Sequence, residues 1–315
     1  MPTKLIHSLK QLSAKEQGCV ITIGNFDGVH LGHQQLVAAV VKEAAKRHVP
    51  SMVVTFEPHA FEFFSGDHLT IPRLTRCREK YFFLAQCGID YILILNFNQQ
   101  LADTTASDFI YKIIHETIHP VAIIVGDDFR FGHKRLGDFA LLMQMGKELG
   151  FAVSAMETVF IDGERVSSTM VRKALSEGDL IRAKRFLGHP YYMLGRIRYG
   201  DRLGRQLGFP TANIYLHRRL TPVKGIYIVY VHGIADQPWP GVANVGIRPT
   251  IGGTKTLLEV HLLDFFQEIY GRYVQIEFCK KIRDEERFPH LERLKEAIAE
   301  DVLYARDYFR GCVNE

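Results

Sequence analysis

The sequence predicts a two-domain protein, in which an α/β domain with a parallel sheet precedes a small antiparallel β domain that ends in a helix. The chain has 315 residues, and a domain averages about 150 residues. In the first half of the chain, short apolar runs alternate with helical patterns, as in a parallel sheet covered on both faces. Residues 191–282 contain short stretches in which apolar and polar residues alternate, and turns with Gly, Pro and Asp separate these stretches. This pattern indicates an antiparallel sheet or a small barrel.

The first domain takes its sheet from apolar runs of strand length. The run Cys19–Ile23 precedes a Gly-rich turn and a helical pattern from about His33 to His48. Helical stretches separate the later runs from one another, and Phe151–Met156 could add one more strand at the end. The other predicted strands are Ser51–Phe56, Tyr91–Leu95 and Val121–Val125.

A helical region connects the two domains. From Ser168 to Leu187 apolar residues recur at helical spacing, and Gly178-Asp179 divides the region into two helices. Gly188-His189-Pro190 then ends the second helix. We therefore predict that the domains span residues 1–187 and 188–315.

The second domain has the residue period of β-strands. Apolar residues occupy every second position at 227–231, 258–262 and 274–278. From about Pro289 the period changes, and an apolar stripe with helical spacing predicts a terminal helix. The members of this stripe are Leu291, Leu294, Ile298, Val302, Ala305 and Phe309.

The composition is that of a globular protein and excludes several other classes. Apolar residues make up 47% and charged residues 23%, so the chain can fill a core and is not intrinsically disordered. A formal charge of +4 is too balanced to indicate nucleic-acid binding. Every apolar run is far shorter than the ~20 residues of a membrane helix, and the N-terminus lacks the apolar region of a signal peptide. The five cysteines lack C-x-x-C spacing, which favours a reduced cytoplasmic compartment over a disulfide framework or a zinc site.

Residues 24–33, which read Gly-Asn-Phe-Asp-Gly-Val-His-Leu-Gly-His, carry the first chemical signal. They lie between a predicted strand and a predicted helix, where backbone N–H groups at the helix N-terminus can bind phosphate. His30 and His33 are three residues apart, so in a first helical turn both can face one ligand. As imidazolium groups they could donate hydrogen bonds to phosphate oxygens and stabilise developing charge. An isolated H-x-G-H is equally consistent with a turn that carries two incidental surface histidines.

The whole string resembles the H-x-G-H block of adenylyltransferases, and in particular the FMN adenylyltransferase module of prokaryotic bifunctional riboflavin kinase/FAD synthetases. Further blocks match that module in order: Thr55–His59, Gly126–Gly132, and Val166–Thr169 followed by Arg172. Each block lies after a predicted strand or before a predicted helix, where open α/β sheets bind ligands. After His59 the module usually has a proline, and this chain has Ala60 instead, a departure that leaves the phosphate site untouched.

The resemblance implies a Rossmann-like nucleotidyltransferase fold for the first domain and assigns roles within it. His30 and His33 would stabilise charge during transfer of AMP from ATP. Arg172 would hold the β- and γ-phosphates, which leave as pyrophosphate. Asp128 could hydrogen-bond the adenosine, and Asp27 could orient a histidine.

The expected ATP-binding set of the first domain is larger than these five residues. Ser168 and Thr169 belong to it, although either is also a reasonable N-cap for the helix that follows. Aromatic residues that could stack on an isoalloxazine, or equally belong to the core, are Phe56, Phe61, Phe129 and Phe131. The full expected set is Gly24, Asn25, Phe26, Asp27, His30, His33, Asp128, Ser168, Thr169 and Arg172.

The second chemical signal is the Gly-rich stretch from Gly204 to Asn213. Glycines allow the backbone to approach phosphates closely. Thr211 and Asn213 are two apart, so in an extended chain their side chains share one face. A hydroxyl and an amide oxygen are suitable ligands for Mg²⁺ when ATP phosphates and water complete the octahedron. Taken alone, Pro-Thr-Ala-Asn is also an ordinary turn-to-strand sequence.

The neighbouring blocks resemble the riboflavin kinase module of the same bifunctional family, from about residue 188 to the C-terminus. The matching blocks are Gly225–Tyr227, Gly241–Gly246 with Pro249-Thr250, Glu259–Asp264, Tyr270-Gly271 and Ile282–Phe288.

For the second domain we expect a small antiparallel β-barrel with a terminal helix, and the resemblance assigns roles within it. Glu259 would accept the proton of the riboflavin 5′-hydroxyl, and the alternative is a solvent-facing strand carboxylate. Arg283 and Glu285 would bind the flavin. Thr211 and Asn213 would hold Mg²⁺. The expected phosphate-binding residues are Gly204, Arg205, Gly208, Thr211 and Asn213.

Two other patterns in the sequence suggest ligands but are better explained by ordinary structure. His115-Glu116-Thr117-Ile118-His119 matches the H-E-x-x-H zinc pattern. Pro120 disfavours helical geometry at His119, so a solvated helix end is the expected structure. The basic patch His217-Arg218-Arg219, with Lys224 nearby, lacks interleaved aromatic residues, so a solvated loop is expected there rather than an RNA site.

Together the two resemblances cover almost the whole chain and predict a bifunctional flavin enzyme. The second domain would convert riboflavin and ATP to FMN and ADP, and the first would convert FMN and ATP to FAD and pyrophosphate. Both steps would use Mg²⁺. The expected partners are small molecules rather than nucleic acid or membrane, and the protein is expected to be a monomer or a weak homo-oligomer. The alternatives are an enzyme with one active module and a non-enzymatic flavin or nucleotide sensor, for which residues such as His30 and Glu259 would be unnecessary.

Overall fold

The computed structural model describes residues 2–68, 71–199, 204, 207–216, 218, 220–250 and 253–313. The chain divides into two compact units. The first comprises Met1–Thr70 and Thr75–Ser168, and the second comprises Ile71–Leu74 and Thr169–Glu315. The domain boundary between residues 187 and 188 stays a prediction.

The first unit is built on a six-stranded parallel sheet, which confirms the predicted fold class. Every neighbouring pair in the order β1-β4-β3-β2-β5-β6 is parallel. The short edge strand β1 was not predicted, and only one of its three residues is buried. The strands are β1 (Lys4–Ile6), β2 (Val20–Ile23), β3 (Ser51–Glu57), β4 (Tyr91–Asn96), β5 (Ala122–Gly126) and β6 (Ala152–Met156).

The direction of strand addition reverses beside β2. After β2 the chain adds β3 and then β4 on one side, and it later adds β5 on the other side. The carboxyl end of β2 is therefore a topological switch point, where open α/β sheets bind ligands. Residues 24–33 begin at this end of β2.

Helices flank the sheet and close its core. The first of them, α1, buries Leu36, Val37, Val40 and Ala44, which recur at helical spacing. The α-helices of the first unit are α1 (Leu31–Arg47), α2 (Ala60–Ser65), α3 (Cys77–Gln86), α4 (Gln99–Asp103), α5 (Ala106–Asp108) and α6 (Phe139–Leu149). A π-helix spans Phe109–Ile118, and a hairpin joins β7 (Phe160–Ile161) to β8 (Glu164–Arg165).

The π-helix ends as the sequence predicts, before the second histidine of the H-E-x-x-H pattern. His119 has a left-handed conformation with φ 53°, and its N–H donates to the Ile114 carbonyl at 2.8 Å. The Nδ1 of His119 donates to the carbonyl oxygen of His115 at 3.2 Å. Since His119 lies outside the helix, the two histidines do not form the helical pair that a zinc site of this type requires.

The second unit contains a closed antiparallel barrel of six strands. The residue period alone allowed an open sheet or a barrel, and the structure confirms the expected barrel. The order around it is β10-β13-β12-β11-β14-β9. The strands are β9 (Tyr191–Arg198), β10 (Thr211–Tyr215), β11 (Gly225–His232), β12 (Trp239–Thr250), β13 (Gly253–Leu262) and β14 (Tyr273–Arg283).

Three further α-helices are α7 (Ser168–Ser176), α8 (Leu180–Leu187) and α9 (Leu291–Val313). The last is the predicted terminal helix, and it packs Val302 and Ala305 against residues on the outer face of the barrel, including Ile226 and Val242. Helix α8 packs against β9 and β14. Among the described residues, no helix has both the length and the apolar character needed to cross a membrane.

The prediction of a solvated loop at the basic patch is wrong for Arg218. Its side chain is buried, and its guanidinium donates to the carbonyls of Arg73 and Leu74 and to the Tyr191 hydroxyl. The guanidinium is buried because it satisfies carbonyl groups of the short 71–74 segment. His217 and Arg219 lie outside the described residues.

Candidate active sites

The loop after β2 has an unusual backbone. Phe26, Gly28 and Val29 all have positive φ, at 49°, 86° and 43°. Such a conformation is strained for a β-branched residue such as valine. Phe26 and Val29 are buried, with 1% and 0% of their surface exposed, so packing holds the strained loop in place. Local strain of this kind concentrates at functional sites.

Hydrogen bonds from a distant segment fix the same loop. The buried Asp27 carboxylate accepts from the backbone N–H of Thr75 at 2.9 Å and from its hydroxyl at 3.2 Å. The Thr75 hydroxyl in turn accepts from the N–H of Gly28 at 2.9 Å. The Ser168 hydroxyl donates to the Asp27 carbonyl at 2.8 Å, so two predicted site residues meet here. The orientation of a histidine by Asp27 stays a prediction.

His30 and His33 do come together at the start of α1, as their spacing predicts. Their rings stack with centroids 3.7 Å apart and planes 18° from parallel. His30 is the N-cap of α1, and its Nδ1 accepts from the N–H of His33 at 3.4 Å. Because Nδ1 is the acceptor, the His30 proton lies on Nε2.

The electrostatics of the histidine pair differ from the expectation of two imidazolium groups. Burial lowers the pKa of His33 well below its ordinary value, and the neighbouring His30 and Lys80 lower it further, because a positive charge on either group disfavours a second one on His33. His33 is therefore neutral in the free protein. Its Nδ1 is buried without a hydrogen-bond partner among the described residues. The ring can still bind an oxyanion as a neutral N–H donor.

A buried cation beside the loop was not predicted from the sequence. Lys80 on α3 is 3% exposed, and its Nζ donates to the Thr55 hydroxyl at 3.0 Å. That hydroxyl donates to the carbonyl of Asn25 at 3.3 Å, which links α3 through β3 to the loop after β2. The available signal was the helical spacing, since Lys80 shares the buried face of α3 with Phe83 and Leu84.

The other residues predicted for the nucleotide site occupy several positions. Asp128 follows β5 and forms an ion pair with Arg165 on β8, a partner that the sequence analysis did not identify. Thr169 and Arg172 lie on α7 in the second unit, where the Nε of Arg172 donates to the Pro72 carbonyl at 2.8 Å. The backbone N–H of Gly24 donates to the Val54 carbonyl at 3.0 Å.

The four aromatic candidates for flavin stacking separate in the structure. Phe131 is 7% exposed and belongs to the core, and Phe129 stacks on it with centroids 5.2 Å apart. Phe56, at the carboxyl end of β3, packs edge-on against Phe97 after β4. Phe61 lies against the ring of His59.

In the second unit, the strand register brings three of the predicted kinase residues together on one face. Asn213 on β10 pairs with Glu259 on β13, and Thr211 pairs with His261. Residues paired directly across two strands point to the same face of the sheet. The neighbours Ile214, Leu258 and Val260 are buried in the barrel, so Asn213 and Glu259 lie on its outer face.

The Gly-rich loop approaches Thr211 closely enough to require glycine. A Cβ on Gly204 would lie 2.4 Å from the Phe209 carbonyl oxygen and 3.3 Å from the Thr211 hydroxyl. The N–H of Phe209 donates to the Gly204 carbonyl at 2.7 Å, which closes the loop. Gly208 has a φ of 88°. Arg205 lies outside the described residues.

The two residues predicted to bind flavin have different surroundings. Arg283 forms a bidentate pair with Asp301 of α9, at 2.9 and 2.7 Å, and this pair raises the pKa of Arg283. Sequence reasoning missed Asp301. Glu285 is exposed, and its carboxylate covers Gly246 on β12, where a Cβ would collide with it.

Both halves of the chain match known families. Residues 12–170 match the family model for FAD synthetase, and residues 187–309 match that for riboflavin kinase. Bifunctional riboflavin kinase/FMN adenylyltransferases are similar over nearly their whole length. The protein of Escherichia coli strain K12 is 48% identical over 307 residues, which cover 97% of this chain and 98% of that one. The protein of Haemophilus influenzae is 43% identical over 308 residues, which cover 98% of this chain and 100% of that one.

A solved structure has the same fold. It is described as a macrolide-efflux protein from Streptococcus pneumoniae and matches with a TM-score of 0.80 at 28% sequence identity. The match covers 97% of this chain and 99% of that chain.

Proposed function

The chain belongs to the bifunctional riboflavin kinase/FMN adenylyltransferase family, and we propose which of its residues carry out the two reactions. The protein phosphorylates riboflavin with ATP to give FMN and ADP. It then joins FMN to AMP from a second ATP, which gives FAD and pyrophosphate. In this proposal the adenylyltransferase domain spans residues 1–187 and the kinase domain spans residues 188–315.

The cross-strand pair of Asn213 and Glu259 supports the proposed kinase site most directly. A carboxylate and an amide share one face of the barrel, beside the Gly-rich loop that closes on Thr211. In our proposal Glu259 accepts the proton of the riboflavin 5′-hydroxyl as that oxygen attacks the γ-phosphorus of ATP. Arg283 and Glu285 bind the flavin. Phosphoryl transfer depends mainly on positioning and charge neutralisation, so the base is one contributor among several.

The donor set of this face fits Mg²⁺. The Thr211 hydroxyl and the Asn213 amide are oxygen ligands of the kind that the ion prefers, and Gly204 leaves room beside them. These two residues would hold the metal, which would neutralise triphosphate charge. Gly204, Gly208 and Arg205 would bind the phosphates.

In the adenylyltransferase site, we assign charge stabilisation to His30 and His33. The FMN phosphate is already anionic at neutral pH, so the attacking oxygen requires no base. The neutral His33 ring and the Nε2–H of His30 can donate hydrogen bonds to the oxyanion that develops at the α-phosphorus. Gly24, Asn25 and Phe26 position ATP through their main-chain atoms, at the switch point of the sheet.

The other residues that we assign to the adenylyltransferase site have supporting roles in the proposal. Arg172 holds the departing pyrophosphate, and Ser168 and Thr169 contact phosphate near the start of α7. Asp128 contacts the adenosine and exchanges its ion pair with Arg165 for this contact. Asp27 holds the loop through Thr75.

Two single substitutions test the assignment of the two sites. His30→Ala should abolish FAD formation and leave FMN formation intact, because His30 belongs to the first unit alone. Glu259→Gln should lower kinase activity by about 10²–10⁴-fold, the usual contribution of a general base. With FMN supplied, the same variant should still form FAD.

The variants and the unmodified protein together distinguish the two-site enzyme from the alternatives, an enzyme with one active module and a non-enzymatic sensor. Loss of both activities in either folded variant would contradict the two-site assignment. Tight flavin binding without ATP turnover in the unmodified protein would instead support a sensor. The same proposal includes a cytoplasmic location and a monomeric or weakly associating state. It also includes action on small molecules rather than on nucleic acid.

A further inference from the structure

A row of paired residues crosses the outer face of the barrel beside the proposed base. Glu259 on β13 pairs with Asn213 on one side and with Asn244 of β12 on the other. Asn244 pairs in turn with Ile226 of β11. Since directly paired residues point to the same face, the Asn244 amide and the Glu259 carboxylate lie side by side, with Cβ atoms about 5 Å apart.

The side-chain oxygen of Asn244 is buried and has no hydrogen-bond partner among the described residues. Neither neighbour in the row can supply one. Ile226 is apolar, and an ionised Glu259 only accepts hydrogen bonds. A buried acceptor beside another acceptor is unfavourable unless a group with several donors binds between them.

The surroundings of Asn244 place it between the two parts of the proposed kinase site. Glu259 lies on one side of it along the row. Two residues further along β12, Gly246 is covered by the Glu285 carboxylate, from the segment that we assign to flavin binding. A substrate that reaches from Glu285 to Glu259 therefore passes Asn244.

We propose that the Asn244 side-chain oxygen accepts a hydrogen bond from an inner hydroxyl of the ribityl chain of riboflavin, while Glu259 engages the terminal hydroxyl. This inference rests on the proposed kinase function. A polyol chain carries hydroxyl donors on successive carbons, so one chain can satisfy two acceptors on neighbouring strands. Asn244 thereby selects for flavins with a hydroxylated chain and fixes the reactive end.

The test compares two substrates in the full-length protein. One is riboflavin, and the other is a flavin whose N10 side chain is an alkyl chain of the same length that keeps only the terminal hydroxyl. Kinase kcat and KM are measured for both with the unmodified protein, with Asn244→Ala, and with Asn244→Leu, which preserves volume if the alanine variant folds poorly. The Mg²⁺ dependence is measured in parallel, and FAD formation from supplied FMN reports on the first unit.

The proposal predicts a loss that depends on the substrate. In the variants kcat/KM for riboflavin should fall by about 10-fold, the effect of one lost hydrogen bond that leaves a polar group unpaired. For the analogue it should change by less than about 2-fold. An equal loss on both substrates, no loss on riboflavin, or an altered Mg²⁺ requirement would overturn it. If the unmodified protein phosphorylates neither flavin, the proposed function itself fails, which is a different result.

Discussion

At the scale of single residues, the proposed adenylyltransferase site combines a strained loop with a pair of stacked histidines. The pair is held by the N-cap of α1 and by burial, and burial keeps His33 neutral. In the proposed site, neutral donors would suit a triphosphate whose charge Mg²⁺ neutralises, because they add hydrogen bonds without first taking up a proton. Lys80 supplies fixed positive charge nearby through its contact with Thr55.

Removal of Asn213, a proposed Mg²⁺ ligand, should separate the two activities. Asn213→Ala should lower kinase activity at limiting Mg²⁺ by at least about 10-fold, and excess Mg²⁺ should restore part of it. FAD formation by the same variant serves as the control and should stay unchanged, because Asn213 belongs to the barrel. Mg²⁺ titrations of both reactions make the measurement. An equal loss at all Mg²⁺ concentrations would contradict the assignment of Asn213 as a ligand.

Residue positions close in sequence could be predicted, whereas those that depend on tertiary contacts could not. The His30–His33 pair follows from a spacing of three at a helix start, and Asn213 follows from strand alternation. Lys80 and Asp301 lie outside the quoted motifs, and Asn244 lies within the Gly241–Gly246 block but received no role from it. Their roles follow from helix packing and strand register, which one sequence does not specify. The burial of Arg218 depends on carbonyls more than 140 residues away.

At the scale of secondary structure, α9 is joined to the barrel by apolar packing and by one ion pair. The Arg283–Asp301 pair connects the end of β14 to the middle of α9, and the Asp301 side chain is only 6% exposed. Breaking a buried pair leaves an uncompensated charge, which costs more than the pair itself contributes.

Asp301→Ala should therefore lower the free energy of unfolding of the second unit by about 3 kcal/mol. The matched control is Asp307→Ala on the same helix, where the exposed carboxylate pairs with Arg310 at 3.7 Å. That control should change stability by less than about 0.5 kcal/mol. Chemical denaturation followed by circular dichroism makes the comparison. Equal effects of the two substitutions would show that the ion pair does not hold α9.

In the N-terminal segment of the first unit, the buried Glu16 carboxylate connects β1 to the residues that follow it, which gives an acid dependence. Glu16 accepts from Lys4 Nζ at 2.7 Å and from the N–H of Ser13 at 2.8 Å, and the hydrogen bonds from these two residues lower its pKa from 4.5 to about 2. A carboxylate with a lowered pKa stabilises the fold above its unfolded value. Its contribution is lost as the pH falls from about 4.5 towards 2.

Glu16→Gln should accordingly destabilise the first unit at neutral pH, and the difference from the unmodified protein should shrink below about pH 4.5. Unfolding curves of both proteins, recorded between about pH 3 and about pH 7, measure this difference in stability. Glu148→Gln is the control, because Glu148 is exposed and accepts a hydrogen bond from the Gln144 amide at 3.0 Å. A difference that is independent of pH would contradict the role of the Glu16 charge.

Elements with a strong residue period could be predicted to within a residue or two, and irregular ones could not. The buried strands of the parallel sheet and α9 follow directly from their apolar patterns. Strand β1 is too short to show a period, since it has three residues. The residue period does not decide between an open sheet and a closed barrel, because closure depends on the pairing of β9 with β14, which is distant in sequence. The apolar residues of the π-helix predict a helix, but they do not show that its hydrogen bonds span five residues rather than four.

At the scale of the whole molecule, two compact units carry two reactions that share a flavin. The product of the kinase is the substrate of the adenylyltransferase, so FMN must form before FAD. Each unit contains its own proposed phosphate-binding loop: residues 24–33 in the first and the stretch from Gly204 to Asn213 in the second. The central claim is that both sites are active and act in this order.

The most direct measurement follows flavins over time by liquid chromatography after the purified protein is mixed with riboflavin, ATP and Mg²⁺. FMN should appear first, and FAD should follow at its expense, with one ADP per FMN and one pyrophosphate per FAD. FMN that accumulates without FAD would contradict the assignment of the H-x-G-H loop. The absence of any conversion by folded protein would contradict the account of both sites.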